Sequence, residues 1–215
     1  MTSFDVKKAL LLYAVTDRAW LGERTLAAVC EDVLKNGATF LQLREKELHG
    51  EALLAEAREL KALAGRYGVP FVVDDDVEAA LACGADGVHV GQSDIRGRDI
   101  RALIGPDKIL GISANTVEKA VAAQAAGADY IGVGAVFGTS TKKDAQNITV
   151  PQLRAICDAV DIPVVAIGGI RADNLPRLAG SGIDGVAVVS ALFAQSDPGA
   201  AAAWLRRLTQ EVLYG

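Results

Sequence analysis

The apolar positions of this chain fall into two alternating patterns. Short continuous apolar runs occupy residues 10–16, 38–43, 70–74, 87–90, 108–113, 130–135, 163–167 and 185–189. They have the length of strands and show little polar alternation, as expected for strands covered on both faces. Between them, apolar residues recur every three or four positions, which predicts helices near 25–36, 51–67, 77–83 and 117–126, from 150, and near 199–213. In the second of these, Leu53, Leu54, Ala57, Leu60, Leu63 and Ala64 share one face. Gly37 and Gly68 stand where helices stop, and Pro151 stands in a first turn. Strand-helix alternation from end to end is the signature of parallel βα units.

A repeat supports the unit count. Gly37-Ala38-Thr39, Gly84-Ala85-Asp86, Gly127-Ala128-Asp129 and Gly182-Ile183-Asp184 each separate a helix from an even-numbered strand, so one repeat spans a quarter of the chain's units. Eight parallel units with strands close to fully apolar predict a closed (β/α)8 TIM barrel, a single domain over residues 1–215, over an open doubly wound sheet. No Gly-x-Gly-x-x-Gly follows the first strand, so no dinucleotide fingerprint is present.

Composition narrows the function. Of 215 residues, 51% are hydrophobic, 23% charged and 5% aromatic, and the net charge is −5, which argues against nucleic acid or an anionic membrane as partner. Cys30, Cys83 and Cys157 lie far apart inside apolar helical patterns, pointing to burial in a reducing, cytoplasmic setting rather than to metal or disulfide. Lys7 and Lys8 precede an apolar run over 9–15, but the run is short and ends at Asp17-Arg18; it reads as a strand, not a signal peptide. No apolar stretch reaches the roughly 20 residues of a membrane span.

Candidate chemistry gathers at the predicted C-terminal strand ends, where such barrels place their reactive groups. The second strand runs into Gln42, Leu43, Arg44, Glu45 and Lys46. Its alternation sends Gln42, Arg44 and Lys46 to one side and Leu43 and Glu45 to the other. An amide and two cations converging on one spot suit a phosphate or diphosphate. The third strand ends in Asp74, Asp75 and Asp76, and the segment after the fourth supplies Gln92 and Asp94. Carboxylates at such a density suit Mg²⁺, while at least one of the three consecutive Asp would cap the helix from Val77. The fifth strand ends at Ser113. The sixth leads into the hydroxyl- and cation-rich Thr139-Ser140-Thr141-Lys142-Lys143, in a loop over 137–149 too long for a mere connector. Gly168-Gly169-Ile170 and Val189-Ser190-Ala191 close the seventh and eighth strands, where barrels bind phosphate through backbone N–H groups. His49 and His89 read as structural or solvated, and no Ser/His/Asp or Cys/His pairing presents itself. A site rich in phosphate grips and metal carboxylates but poor in bases points to transfer chemistry driven by a departing anion.

Over residues 13–191 the chain resembles the thiamine phosphate synthase family. The resemblance rests on Gln42-Leu-Arg-Glu-Lys46, Gly84-Ala-Asp-Gly-Val-His-Val-Gly-Gln-Ser-Asp94, Thr139-Ser-Thr-Lys142, Ala166-Ile-Gly-Gly-Ile170 and Val189-Ser190. It implies a transferase that joins a hydroxymethylpyrimidine diphosphate to a thiazole phosphate and releases diphosphate, by a dissociative route through a pyrimidinylmethyl cation. Carried over by position, Gln42, Leu43, Arg44, Glu45, Lys46, Ser113 and Lys142 would bind the pyrimidine diphosphate, with Arg44, Lys46, Ser113 and Lys142 catalytic. Asp75 and Asp94 would hold Mg²⁺, and Thr139, Ser140, Thr141, Gly169, Val189 and Ser190 the thiazole phosphate. Asp74 falls at a substrate contact where family members commonly have Asn. A related thiazole tautomerase and a non-catalytic phosphate-binding barrel are the competing readings. The Arg44, Lys46, Asp75, Asp94 and Lys142 set weighs against the first and the two metal carboxylates against the second, and homo-oligomerisation is left open.

Overall fold

The computed structural model describes residues 5–92, 97–138 and 147–215. Eight parallel strands close in sequence order: β1 (Leu12–Val15), β2 (Phe40–Leu43), β3 (Phe71–Asp74), β4 (Gly87–Val90), β5 (Ile109–Ser113), β6 (Tyr130–Val133), β7 (Val164–Ile167) and β8 (Gly185–Val188), with β8 pairing back onto β1. The helices are α1 (Val6–Ala9), α2 (Leu26–Lys35), α3 (Gly50–Arg66), α4 (Val77–Ala82), α5 (Ile100–Ile104), α6 (Val117–Ala125), α7 (Val150–Cys157), α8 (Ser190–Phe193) and α9 (Pro198–Tyr214). The TIM barrel expected from the alternation is therefore present.

Local differences have local causes. The start of the run read as a strand over 9–15 is partly helical, because Asp5 caps α1 by accepting from Lys8 N. Helix α5, hidden by its shortness, is capped by Asp99. Between β7 and β8 the chain makes a single 3₁₀ turn, Leu175–Leu178, with Pro176 near its start. The caps of α2 (Thr25), α4 (Asp76), α6 (Thr116) and α7 (Thr149, reciprocated by Gln152) all accept from backbone N–H groups of the first turn.

Two apolar layers sit on either side of the sheet. The outer one packs strand residues such as Leu41, Leu43, Val73, Val88 and Ile131 against the helices. The inner one fills the lumen with Leu10, Tyr13, Val15, Phe40, Val72, Ile109, Tyr130, Val165 and Ala187. Tyr13, Phe40 and Tyr130 form the widest part of that plug, with ring centroids 4.5 to 5.9 Å apart in tilted and edge-on pairs. Above this plug the lumen turns polar.

The quarter repeat is a device as well as a turn. Its third residue, Thr39, Asp86, Asp129 or Asp184, sends its backbone N–H to the carbonyl of Leu12, Phe71, Leu110 or Val164 respectively. Its side-chain oxygen accepts from the N–H of the same residue, at 2.9, 2.8, 2.7 and 2.9 Å. Each odd-numbered strand is thereby latched to the even strand that follows it. Three of the latches carry a cation: Lys61 on Asp86, Arg101 on Asp129 and Lys7 on Asp184.

Candidate active site

A cavity of about 870 Å³ opens at the C-terminal ends of the strands. Gln42 and Arg44 line it from β2 and its exit, Asp74 from β3, His89 from β4, Ser113 from β5, and Gly169, Val189 and Ser190 from the exits of β7 and β8. The period-two reading of the second strand holds for Gln42 and Arg44, which face the cavity while Leu43 is buried in the outer layer; Lys46, expected on their side, lies beyond the strand end and lines the adjoining recess with Leu43 and Glu45.

Glu45 points away from this cavity and is committed elsewhere. Its side chain, 3% exposed, accepts from the guanidinium of Arg18 at 2.6 Å and from the backbone N–H groups of Glu47 and Leu48. Arg18 also grips Glu56 at 2.9 Å. Burial alone would raise the Glu45 pKa, but these donors outweigh it and hold the carboxyl below its ordinary range. Leu43 and Glu45 instead line a smaller recess of about 300 Å³ beside the main cavity, together with Lys46, Asp74 and Asp75.

Cations and carboxylates meet where the two spaces adjoin. Lys46 Nζ lies 2.8 Å from Asp75 Oδ2 and 3.4 Å from Asp74 Oδ2, and Arg44 Nε lies 4.0 Å from Asp74 Oδ2. Burial, then repulsion from Asp75, pushes the Asp74 carboxyl up to about 6 in spite of both cations. Burial works against the charge of Lys46, yet its bond to Asp75 and the field of Asp74 hold its pKa above the ordinary lysine value. Asp75 adopts φ +62°, a left-handed backbone uncommon outside glycine. Its N–H donates to the His89 carbonyl, and its Oδ1 accepts from Gly91 N at 3.4 Å, so it leans toward the exit of β4. Asp76 is spent on capping α4.

Asp74 and Asp75 offer hard oxygen donors at the cavity mouth, the donor chemistry that Mg²⁺ takes alongside water and substrate phosphate. Among the described residues no group of three or more His, Cys, Asp or Glu is gathered as a metal cage, so a cation here would need further ligands. Asp94, Thr139, Ser140, Thr141 and Lys142, all singled out in the sequence, lie outside the described residues.

Across the barrel, Gly168 and Gly169 follow β7 with φ +101° and +65°. A Cβ on Gly169 would collide with the Gly138 carbonyl, so only glycine lets the exits of β6 and β7 approach this closely. Asn174 fixes the loop by donating to the Gly169 carbonyl at 2.9 Å and accepting from Arg171 N at 2.8 Å. Ser190 begins α8 on the same rim.

Sequence reasoning passed over Tyr13 and Tyr130, buried beneath the cavity, and Asn115 and Lys119 in its lining. Gln42 Nε2 donates to the Tyr13 hydroxyl at 2.9 Å, and the Tyr13 and Tyr130 hydroxyls are 2.8 Å apart. Tyr130 reaches His89 Nδ1 at 3.0 Å, and His89 Nε2 reaches Ser113 Oγ at 2.9 Å. Gln92 Nε2 donates to the Ser113 carbonyl at 2.7 Å, and Asn115 and Lys119 join the lining. His89 had read as structural or solvated; it is buried and stands in the cavity wall.

Comparison with known proteins bears on what this arrangement does. A family model described as thiamine monophosphate synthase matches residues 12–192. The thiamine-phosphate synthase of Ruminiclostridium cellulolyticum is 49% identical over 186 residues, 86% of this chain and 89% of that protein. That of Clostridioides difficile is 47% identical over 193 residues, 90% and 92% of the two chains. Among solved structures, the thiamine phosphate pyrophosphorylase from Pyrococcus furiosus is similar with a TM-score of 0.89 at 38% identity, covering 97% of this chain and 100% of that one.

Proposed function

Because the chain belongs to the thiamine monophosphate synthase family, with thiamine-phosphate synthase, a transferase, as its activity, we propose how its cavity divides the work. The pyrimidine substrate enters with its ring between Gln42 and Ser113 and its diphosphate toward Arg44 and Lys46. The thiazole phosphate lies opposite, on the backbone at Gly169 and on Val189 and Ser190. One observation carries this reading: Arg44 in the cavity and Lys46 in the adjoining recess both approach Asp74, which lines both spaces, while the glycine exit of β7 lines the same cavity.

Bond breaking puts negative charge on the departing diphosphate, and the protein's task is to meet that charge. Arg44 brings a planar fork fixed at a strand end; Lys46 brings a mobile point charge parked on Asp75 and Asp74. Burial and Asp75 push the Asp74 carboxyl up to about 6, so at neutral pH it stays mostly ionised and is a charge that Arg44 and Lys46 offset beside the diphosphate. Asp75, with Asp94, would hold Mg²⁺, which when bound supplies charge neutralisation on the phosphate oxygens. The thiazole nitrogen then captures the pyrimidinylmethyl cation, a step that asks for no strong general base. Closing the site from water is the remaining requirement.

Both partners are small molecules, and we place the reaction in the cytoplasm. Among the described residues no helix is long and apolar enough to cross a membrane. Incubation of the protein with hydroxymethylpyrimidine diphosphate, thiazole phosphate and Mg²⁺ should yield thiamine phosphate and diphosphate in equal amounts. Turnover of the thiazole phosphate without the pyrimidine diphosphate would overturn the assignment of the two substrates.

A further inference from the structure

Three wall residues and two buried tyrosines form one continuous hydrogen-bonded chain across the lumen, Gln42–Tyr13–Tyr130–His89–Ser113, built from five different strands. Both of its ends line the cavity, and its middle is buried, with Tyr13 1% and Tyr130 0% exposed. The lumen is shaped to admit it. A Cβ on Gly111 would strike the Tyr130 hydroxyl and His89 Nδ1, and one on Gly132 would press on His89 Cε1 at 3.2 Å. Two small positions on β5 and β6 therefore keep open the space in which tyrosine and imidazole meet.

Such a chain has a direction. Burial raises the pKa of both phenols well above the ordinary range, so each keeps one proton and has one bond to donate. With the Gln42 amide nitrogen donating to Tyr13, Tyr130 is the acceptor left for the Tyr13 proton. Tyr130, accepting from Tyr13, sends its own proton to His89 Nδ1. The imidazole then carries its hydrogen on Nε2 and donates it to Ser113 Oγ. Ser113, with an N–H directed at its oxygen from behind, turns its hydroxyl proton into the cavity.

We infer that Tyr13, Tyr130 and His89 are positioning residues that transmit the orientation of the Gln42 amide to Ser113, presenting Ser113 as a hydrogen-bond donor to an acceptor atom on the substrate's heterocycle. The identity of that heterocycle rests on the pyrimidine placement proposed above; the direction of the chain does not. Rotating the Gln42 amide by half a turn would reverse every bond and make Ser113 donate backwards to His89. The relay thus couples two ends of the cavity that share no direct contact.

The chain has only two histidines, His49 and His89, so ¹⁵N-histidine spectra of the substrate-free protein read the tautomer directly, with His49→Gln used to assign the signals. The expected result is a protonated Nε2 and an unprotonated, hydrogen-bonded Nδ1 on His89. In Tyr130→Phe, which keeps the ring and removes the central hydroxyl, the Nδ1 signal should lose its hydrogen-bond shift. kcat/KM for the pyrimidine diphosphate should fall about tenfold, the effect of roughly one lost hydrogen bond, with the KM for thiazole phosphate within about twofold of wild type. In Tyr13→Phe, Tyr130 no longer has to donate to His89, and the two tautomers should mix. A proton on Nδ1 in the wild-type protein would overturn the direction. A folded Tyr130→Phe variant with wild-type pyrimidine kinetics, or with both substrates affected alike, would overturn the positioning role. If neither substrate is used by the wild-type protein, the functional reading fails while the tautomer still tests the relay.

Discussion

Lys46 and Asp75 are partners: Nζ lies 2.8 Å from Oδ2, in the side recess next to Asp74, which lines the main cavity as well. A cation assigned to diphosphate and a carboxylate assigned to metal thus neutralise each other in the substrate-free site. On the proposed placement, a diphosphate arriving with its cation would let each exchange this partner for the opposite charge. The site would then take up two charged species without stranding an unpaired ion in a partly buried place.

Asp75→Ala removes that carboxylate and leaves Lys46 with Asp74 alone. Turnover should fall by about 100-fold at limiting Mg²⁺, with part of the loss recovered at high Mg²⁺, as expected when a ligand is removed. Rates of thiamine phosphate formation over a Mg²⁺ series check this. An unchanged Mg²⁺ dependence would remove Asp75 from the metal site.

Gly169→Ala places a methyl group on the Gly138 carbonyl at φ +65° and should push apart the exits of β6 and β7. The KM for thiazole phosphate is expected to rise at least about tenfold, since one displaced phosphate contact costs on the order of 1.4 kcal/mol, while the KM for the pyrimidine diphosphate changes little. Initial rates with each substrate varied in turn separate the two. Loss of affinity for the pyrimidine diphosphate alone would exchange the placement of the substrates.

Glu45 links acid stability to the strand end that carries Arg44 and Lys46. Its pKa in the folded protein lies below its ordinary value of 4.5, so it contributes stability above pH 4.5 that is lost as pH falls through the lowered value. Glu45→Gln keeps the shape but weakens the bond to Arg18, and should cost about 1–2 kcal/mol at pH 7. Denaturation midpoints from pH 7 to pH 3 should converge for the two proteins at the acid end. A constant gap over that range would mean the ionised carboxylate is not what Arg18 needs.

Asp86→Ala strands the Phe71 N–H and frees Lys61, and is expected to destabilise the fold by about 2–3 kcal/mol. Thr39→Val breaks the corresponding latch without a charge and should cost nearer 1 kcal/mol. Urea unfolding followed by circular dichroism distinguishes them. Equal losses would show that the lysine adds nothing to the latch.

The barrel was legible because its signals are local. Apolar runs, helical periodicity and the glycine before each even strand need no partner to be recognised, and the alternation that turns Gln42 and Arg44 inward is a property of one strand. The meeting of Lys46 with Asp74 and Asp75 was half legible, since neighbouring strands place their exits together but do not say which side chains touch. Glu45 was carried over with its neighbours although its own alternation sent it outward, and Arg18 is what claims it. Tyr13 and Tyr130 sit inside the apolar runs 10–16 and 130–135 and were not singled out. Their hydroxyls meet across 117 positions of sequence only because closure sets β1 opposite β6, and no spacing rule reports that. His89 was discounted because a lone strand histidine has no visible partner until those hydroxyls are in place.

The four latches and the lumen relay also differ in what they ask of an unfolded chain. Each latch joins residues 27, 15, 19 or 20 positions apart, so its closure costs little conformational entropy. The Tyr13–Tyr130 bond spans 117 positions, two to three doublings of loop length, and costs about 1.5 kcal/mol more to close. No latch crosses α3, α5 or α7, so a cut in any of those helices leaves all four pairs covalently intact. Register inside each quarter is therefore decided locally. What remains for the whole ring is how the quarters meet, at β2–β3, β4–β5, β6–β7 and β8–β1, and the polar thread through its middle is tied when they do.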